Sequence, residues 1–135
     1  MSTRREITNR DDVFLLVSTF YNKIKKDDFI GPIFLETIPE DEWDPHIDKL
    51  TGFWESTLFY KRAYKGNPMK AHIDVDTHFE NSITQKHFGK WLELWFSTVD
   101  SLFVGDKAHE AKERARNIAS LLFLRIFEAR KLLKD

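Results

Sequence analysis

The sequence predicts an all-α fold. Apolar residues recur three and four positions apart through most of the chain, which is the spacing of a helix that buries one face. No segment shows a convincing strand pattern, and Gly31-Pro32 and Gly105 interrupt the helical pattern. We expect residues 1–135 to form one domain, long enough to bury a core without disulfides, and the chain has no cysteine.

The first predicted helix follows an N-cap at Thr8 or Asn9, because either side chain can accept a hydrogen bond from the first helical turn. The helical pattern breaks at Gly31-Pro32, since the residue before a proline avoids the helical conformation. We expect the buried face of this helix to consist of Val13, Phe14, Leu16, Val17, Phe20, Tyr21 and Ile24.

A second long helix is predicted after residue 40. Glu40 to Trp43 fits a single turn, and Asp44-Pro45 then fits an N-cap followed by proline in the first helical position. The predicted inward side of this helix consists of His46, Leu50, Phe53, Trp54 and Thr57.

The segment between residues 61 and 83 is polar and mostly irregular in pattern. Asn67-Pro68 repeats the signal of a cap followed by proline, which predicts a short helix from Pro68 to about Ile73. Met69 and His72 share one side of this helix with Ile73. An irregular stretch of this kind is unusual in a small helical domain unless something fills the space beside it.

Two long helices follow. The first is predicted from Ser82 or Thr84 to Phe103, Gly105 ends it, and Asp106 caps the last helix. The predicted buried side of the first consists of Phe88, Trp91, Leu92, Trp95, Val99 and Leu102. The predicted stripe of the last consists of Ala111, Ala115, Ile118, Ala119, Leu122 and Ile126.

The composition excludes several classes of function. A net charge of −1 provides no field that would recruit nucleic acid or anionic lipid. No apolar run approaches the ~20 residues of a membrane span, and the N-terminus does not fit a signal peptide. We therefore expect a cytoplasmic protein with no nucleic-acid or membrane partner. The sequence also lacks a P-loop, a dinucleotide-binding glycine motif and a nucleophile elbow.

The histidines are the main candidates for chemistry, and they are His46, His72, His78, His87 and His109. No two of them have the spacing of a zinc hydrolase site, and the last three lie in contexts that predict ordinary surface or structural roles. His46 and His72 fit the two sides of an aromatic pocket, an arrangement that can hold a flat iron cofactor. The residues alone favour an ordinary role for His72 and leave iron ligation open.

Tyr21 and Trp91 carry hydrogen-bond donors on the apolar stripes of their helices. Buried donors of this kind normally find partners. Two interpretations remain open from the residues: each donor bonds a backbone carbonyl, or both point at one polar guest, such as dioxygen on a metal.

Together these segments resemble the truncated haemoglobins, and within them the third group. The resemblance extends from about residue 13 to residue 125. The matching stretches are Phe20-Tyr21, Gly31-Pro32-Ile33-Phe34, His46 through Trp54, Tyr64-x-Gly-Asn-Pro68 to His72, His87-Phe88-x-x-Trp91-Leu92, and Arg114 to Ala119.

The resemblance implies a globin-like, two-over-two helical sandwich around haem b (iron protoporphyrin IX). His72 matches the proximal iron ligand, whereas Tyr21, His46 and Trp91 match the distal residues of the family. Lys49, one turn beyond His46, is suitably placed for a haem propionate. The implied haem-contacting residues are Phe34, Lys49, Leu50, Phe53, Met69, Ile73, Phe88 and Leu122.

The expected function is binding of dioxygen and other diatomic ligands, such as nitric oxide and carbon monoxide. His46 is expected to gate the pocket or to bind the iron as a sixth ligand, and both remain open. An alternative is an enzyme, either a nitric oxide dioxygenase or a peroxidase-like protein that cleaves peroxide. Either reaction requires a separate reductase or a reducing substrate. A third hypothesis is a haem-free helical interaction module, which a colourless folded protein would favour.

Overall fold

The computed structural model describes residues 4–59 and 84–134, with side chains as far as residue 126. The described part contains five α-helices and one 3-10 turn at Glu40–Glu42. The helices are α1 (Arg10–Lys26), α2 (Gly31–Thr37), α3 (Trp43–Phe59), α4 (Gln85–Leu102) and α5 (Asp106–Lys134). No strand occurs in these residues, which contain only an isolated bridge between Arg5 and Phe103. The all-α prediction is therefore confirmed.

The start of α1 follows the predicted cap. The Asn9 side chain accepts a hydrogen bond from the Asp12 backbone N–H at 3.0 Å. The predicted buried face is confirmed except at Phe14, which is 50% exposed. Phe14 lies on the flank of the stripe, about 100° around the helix from Val13, so it does not reach the core.

Gly31 and Pro32 open a further helix, α2, beyond the break in the pattern. A Cβ on Gly31 would lie 2.7 Å from the Ile24 carbonyl oxygen, so the close approach of α1 and α2 requires glycine there. The predicted start of α3 was wrong by two residues. The 3-10 turn runs directly into α3, so Asp44 and Pro45 lie within its first turn, where a missing proline N–H costs no helical hydrogen bond.

Both ends of α4 lie close to the predicted positions. Thr84 caps it, and the His87 side chain returns a hydrogen bond by accepting from the Thr84 N–H at 2.9 Å. Gly105, at a φ of +94°, follows its end. Asp106 was predicted as the cap of α5 but is its first helical residue. The Gly105 carbonyl accepts from the His109 N–H at 3.0 Å, so Gly105 occupies the cap position.

The helices pack as two layers, α1 with α3 and α4 with α5, and α1 also lies against α4. This arrangement is the two-over-two sandwich. Phe20 and Trp54 both contact Trp95 between the layers, with ring centroids 4.9 and 4.4 Å apart. The predicted stripe of α5 is buried except for half-buried Ile118, and its alanines allow close packing against α4. In the described residues no helix is long and apolar enough to cross a membrane.

Arg10 connects the start of α1 to α3. Its guanidinium donates to the Glu55 carboxylate at 3.1 Å and to the Asp48 carboxylate at 2.9 Å. Glu55 is 8% exposed, so this ion pair neutralises a buried charge as well as joining the two helices.

Asp12 holds the chain that precedes α1. Its carboxylate accepts hydrogen bonds from the Thr8 backbone and hydroxyl, at 2.9 and 3.0 Å, and from Arg5. Burial by itself would raise the pKa of Asp12, but the hydrogen bonds from Thr8 and Arg5 outweigh burial and lower this pKa below its ordinary 3.8.

Replacing Asp12 with Asn is expected to lower the free energy of unfolding by roughly 1–3 kcal/mol at neutral pH, because the charge-assisted bonds are lost. Since the folded-state pKa lies below 3.8, this stabilisation is complete above that pH and disappears as pH falls through the folded value. Urea unfolding at about pH 7 and about pH 2 measures the difference in unfolding free energy between wild type and Asp12→Asn. The exposed Asp11→Asn is the control. If Asp12→Asn lowered the unfolding free energy equally at both pH values, the ionised Asp12 carboxylate would not be the source of the stabilisation.

Candidate functional site

The structure brings Tyr21 and His46 together. Tyr21 lies on α1, His46 lies in the first turn of α3, and their ring centroids are 5.5 Å apart with planes at 82°. Tyr21 is 7% exposed, whereas His46 is half-buried. The imidazole and the buried phenol ring therefore lie nearly perpendicular to each other where α1 meets α3.

Trp91 approaches this pair from α4 through Phe20. The Phe20 ring lies 5.0 Å from Tyr21 and 5.6 Å from Trp91, with edge-to-face geometry in both cases. Trp91 is half-buried and stacks parallel to Trp95 at 6.1 Å. Within the described residues Trp91 makes no direct ring contact with Tyr21 or His46, so one aromatic ring separates it from them.

The hydrogen bonding of the Trp95 indole differs from that of the Tyr21 hydroxyl and the Trp91 indole. Its indole N–H donates to the Ala111 carbonyl at 3.1 Å, which is the ordinary fate of a buried donor. Among residues 4–59 and 84–126, no hydrogen bond engages the Tyr21 hydroxyl or the Trp91 indole. Burial raises the pKa of the Tyr21 phenol well above its usual 10.0. Tyr21 therefore stays protonated at neutral pH and can donate.

Phe34 borders this region, and further half-buried apolar side chains lie on α3 and α4. Together these side chains come from three helices and, apart from Phe88, pack against the edge of the core: Phe34, Leu50, Phe53 and Phe88. Phe34 contacts Tyr21 edge-to-face at 6.0 Å, and Phe88 contacts Phe123 at 5.8 Å. Leu122 is buried and Lys49 is exposed. Large apolar faces beside a protonated phenol and an imidazole fit a flat apolar cofactor that carries a small polar ligand.

The predicted inward face of α3 is confirmed at Trp54 and is wrong at its other positions, which are only half-buried. The fully buried residues of α3 are Trp43, Ile47, Thr51, Trp54, Glu55 and Leu58. The face with His46, Leu50 and Phe53 is only half-buried and lies one position around the helix. The helix has two apolar faces, one packed on the core and one beside Tyr21, and apolar spacing does not distinguish them.

Trp43 is the residue of this region that the sequence analysis missed. It is 6% exposed, and its ring centroid lies 5.8 Å from that of Tyr21 and 6.0 Å from that of His46. The Lys25 ammonium lies 4.2 Å from the Trp43 ring centroid. The available signal was a tryptophan inside an acidic run, three residues before His46.

The other described histidines have ordinary roles. His87 caps α4 and stacks on Phe29 at 4.5 Å, and His109 is exposed. Residues 4–59 and 84–126 contain no group of three or more His, Asp or Glu residues that could hold a metal ion. His72, Met69 and Ile73, with the short helix predicted around them, lie outside the described residues, as does His78.

A curated relative identifies the family. The protein "Group 3 truncated hemoglobin ctb" of Campylobacter jejuni is 31% identical over 117 residues, which cover 85% of this chain and 88% of the relative. The chain belongs to the group 3 truncated haemoglobins. The crystal structure of a group III truncated hemoglobin from the same species matches with a TM-score of 0.81 and 28% identity. That match covers 92% of this truncated haemoglobin and 95% of the solved chain.

Two other comparisons add nothing about function. No family model matches the chain. "Dynein heavy chain-like protein 2" of Plasmodium falciparum is 27% identical over 117 residues, which are 84% of this truncated haemoglobin but only 2% of that protein. Because the match covers so small a share of that long protein, it gives no information about the activity of this chain.

The buried Tyr21 phenol predicts a stability loss in alkali. Above pH 10.0 the unfolded chain releases the phenolic proton while the folded chain keeps it, so the folded state becomes less stable as pH rises. Tyr21→Phe lacks this proton. From about pH 8 to about pH 11, wild type should lose ~1.4 kcal/mol of unfolding free energy beyond any loss in Tyr21→Phe, measured by urea unfolding. Equal losses in both proteins would show that Tyr21 ionises freely when folded.

Proposed function

We propose that this protein forms a single globin domain, holds haem b through His72, and binds dioxygen and other diatomic ligands beside Tyr21. The observation that carries the proposal is the buried, protonated Tyr21 phenol in edge contact with His46, bordered by half-buried aromatic faces. The Campylobacter jejuni relative and the matching crystal structure are truncated hemoglobins, which supports haem as the cofactor of this chain.

Several residues would hold the haem. His72 would bind the iron, and the exposed Lys49 ammonium would pair with a propionate. The apolar contacts would come from Phe34, Leu50, Phe53, Met69, Ile73, Phe88 and Leu122. When bound, haem would supply an iron centre that binds a diatomic molecule.

Tyr21 would act as the main hydrogen-bond donor to the ligand. Its pKa is raised by burial, so the O–H proton stays on the phenol throughout the physiological range. A donor in a site shielded from water binds a polar ligand more strongly than it would in water, which slows ligand release. The indole N–H of Trp91 is a second donor, one ring away through Phe20.

His46 would control access to the site. It lies in the first turn of α3, is half-buried, and contacts the Tyr21 ring with its own. A half-buried imidazole at the edge of a pocket can rotate between the pocket and the solvent. The His46 side chain would therefore determine when a ligand reaches the Tyr21 hydroxyl.

The release rate of dioxygen tests this proposal. Tyr21→Phe removes one hydroxyl and little volume, so release from the ferrous haem-loaded protein should accelerate by roughly 10- to 100-fold. Displacement by carbon monoxide in a stopped-flow instrument measures the rate.

Thr98→Val provides the matched control. The buried Thr98 hydroxyl donates to the Leu94 carbonyl at 2.6 Å on α4, so its loss affects stability and leaves release unchanged. An unchanged release rate in Tyr21→Phe would refute Tyr21 as the donor.

A further inference from the structure

Four side chains form a layer between α1 and α3. Tyr21 and Lys25 lie four residues apart on α1, and Trp43 and His46 lie three residues apart on α3. Residues at these spacings share one face of a helix. The two faces meet, because Tyr21 contacts both α3 rings and the Lys25 ammonium lies over Trp43.

Trp43 is the most constrained side chain of the α3 pair. It is 6% exposed, and it contacts Tyr21 at 5.8 Å with ring planes at 60°. The cation of Lys25 lies 4.2 Å from its ring centroid, close enough for a cation–π interaction. The indole cannot rotate out without opening a cavity between α1 and α3.

His46 packs between two rings. Its plane is at 82° to Tyr21 and at 89° to Trp43, both edge-to-face contacts that aromatic rings favour. His46 is half-buried, whereas Trp43 is 6% exposed, so Trp43 is the more completely packed of the two rings. The contact with Trp43 therefore restricts the orientation of the imidazole.

We propose that Trp43 is a positioning residue, which holds the His46 imidazole against Tyr21 and so sets how often the site is closed. The consequence for ligand access rests on the function proposed above, whereas the contact itself does not. Removing the indole removes one of the rings that contact His46, and the imidazole then samples solvent-facing orientations more often.

Nuclear magnetic resonance of the purified full-length protein tests the contact directly. In wild type the His46 ring protons lie close to two aromatic rings, so ring currents displace their chemical shifts. Trp43→Leu should move these shifts toward those of an exposed histidine, and Trp43→Phe should retain most of the displacement. Unchanged His46 shifts in a folded Trp43→Leu would refute the proposal.

Phe103→Leu is the control for the loss of a buried aromatic ring. Phe103 is 1% exposed and caps α4 beside Arg5. In the described residues it makes no ring contact with the four-residue layer. Its replacement should lower stability and leave the His46 shifts where they are in wild type.

A double-mutant cycle tests the consequence for the ligand. Carbon monoxide association is measured after flash photolysis in wild type, Trp43→Leu, His46→Leu and the double variant. Trp43→Leu should accelerate association by roughly two- to tenfold, the range expected for one lost edge-to-face contact. In the His46→Leu background the same substitution should have no effect, because Trp43 acts through the imidazole.

The two proposals fail in different ways. If Trp43→Leu accelerates association equally with and without His46, Trp43 acts on the pocket by another route and the positioning role is refuted. If wild type takes up no haem and binds no carbon monoxide, the proposed function is refuted, and the His46 chemical shifts still decide the role of Trp43.

Discussion

The arrangement of the site depends on the packing of the Phe20 side chain. Its ring is 1% exposed and lies edge-to-face with Tyr21, Trp91 and Trp95. It thereby fixes the distance between the Tyr21 hydroxyl-bearing ring on α1 and the Trp91 indole on α4. A large rigid side chain suits this position, because a smaller one would leave a cavity between the two helical layers.

The site differs from the core in how completely its side chains are covered. Trp54 and Trp95 are almost fully buried and stack on each other, whereas Leu50, Phe53 and Trp91 are only half-buried. Burying the rest of those apolar faces would be favourable, so a flat apolar cofactor would bind where the core leaves them exposed. Such a cofactor would stabilise the fold in proportion to its affinity.

The polar groups of the site depend on that apolar setting. The Tyr21 phenol is a useful donor because burial keeps its proton in place. His46 is less completely buried, so part of its imidazole lies at the solvent-facing edge of the site. The buried donor and the half-buried imidazole are held together by the contact of α1 with α3, to which the Arg10–Glu55 ion pair contributes.

The sequence predicted the fold well where one face of a helix is apolar. The stripe of α5 and the cap at Asn9 were identified because a period of 3.6 and a capping side chain are local signals. On α3 it identified Trp54 but otherwise chose the wrong face, because the face beside Tyr21 and the face toward the core are both apolar. Trp43 was missed because an acidic run surrounds it, and its contacts with Tyr21 and Lys25 come from another helix.

The part of the site around His72 was predicted through family resemblance, since nothing in the spacing of histidines alone distinguishes an iron ligand from a surface imidazole. Membership of the group 3 truncated haemoglobins supports that assignment, and the residue lies outside the described structure. Tyr21 and His46 were candidates from the residues themselves, and the resemblance implied their distal roles. The structure places their rings in contact.

The absorption spectrum of His72→Gly tests the central claim most directly, with His78→Ala as the control. The account predicts that His72→Gly loses the Soret band of five-coordinate ferrous haem, that added imidazole restores it by replacing the missing ligand, and that His78→Ala keeps it. A His72→Gly protein with an intact Soret band and normal carbon monoxide binding, without added imidazole, would contradict the account.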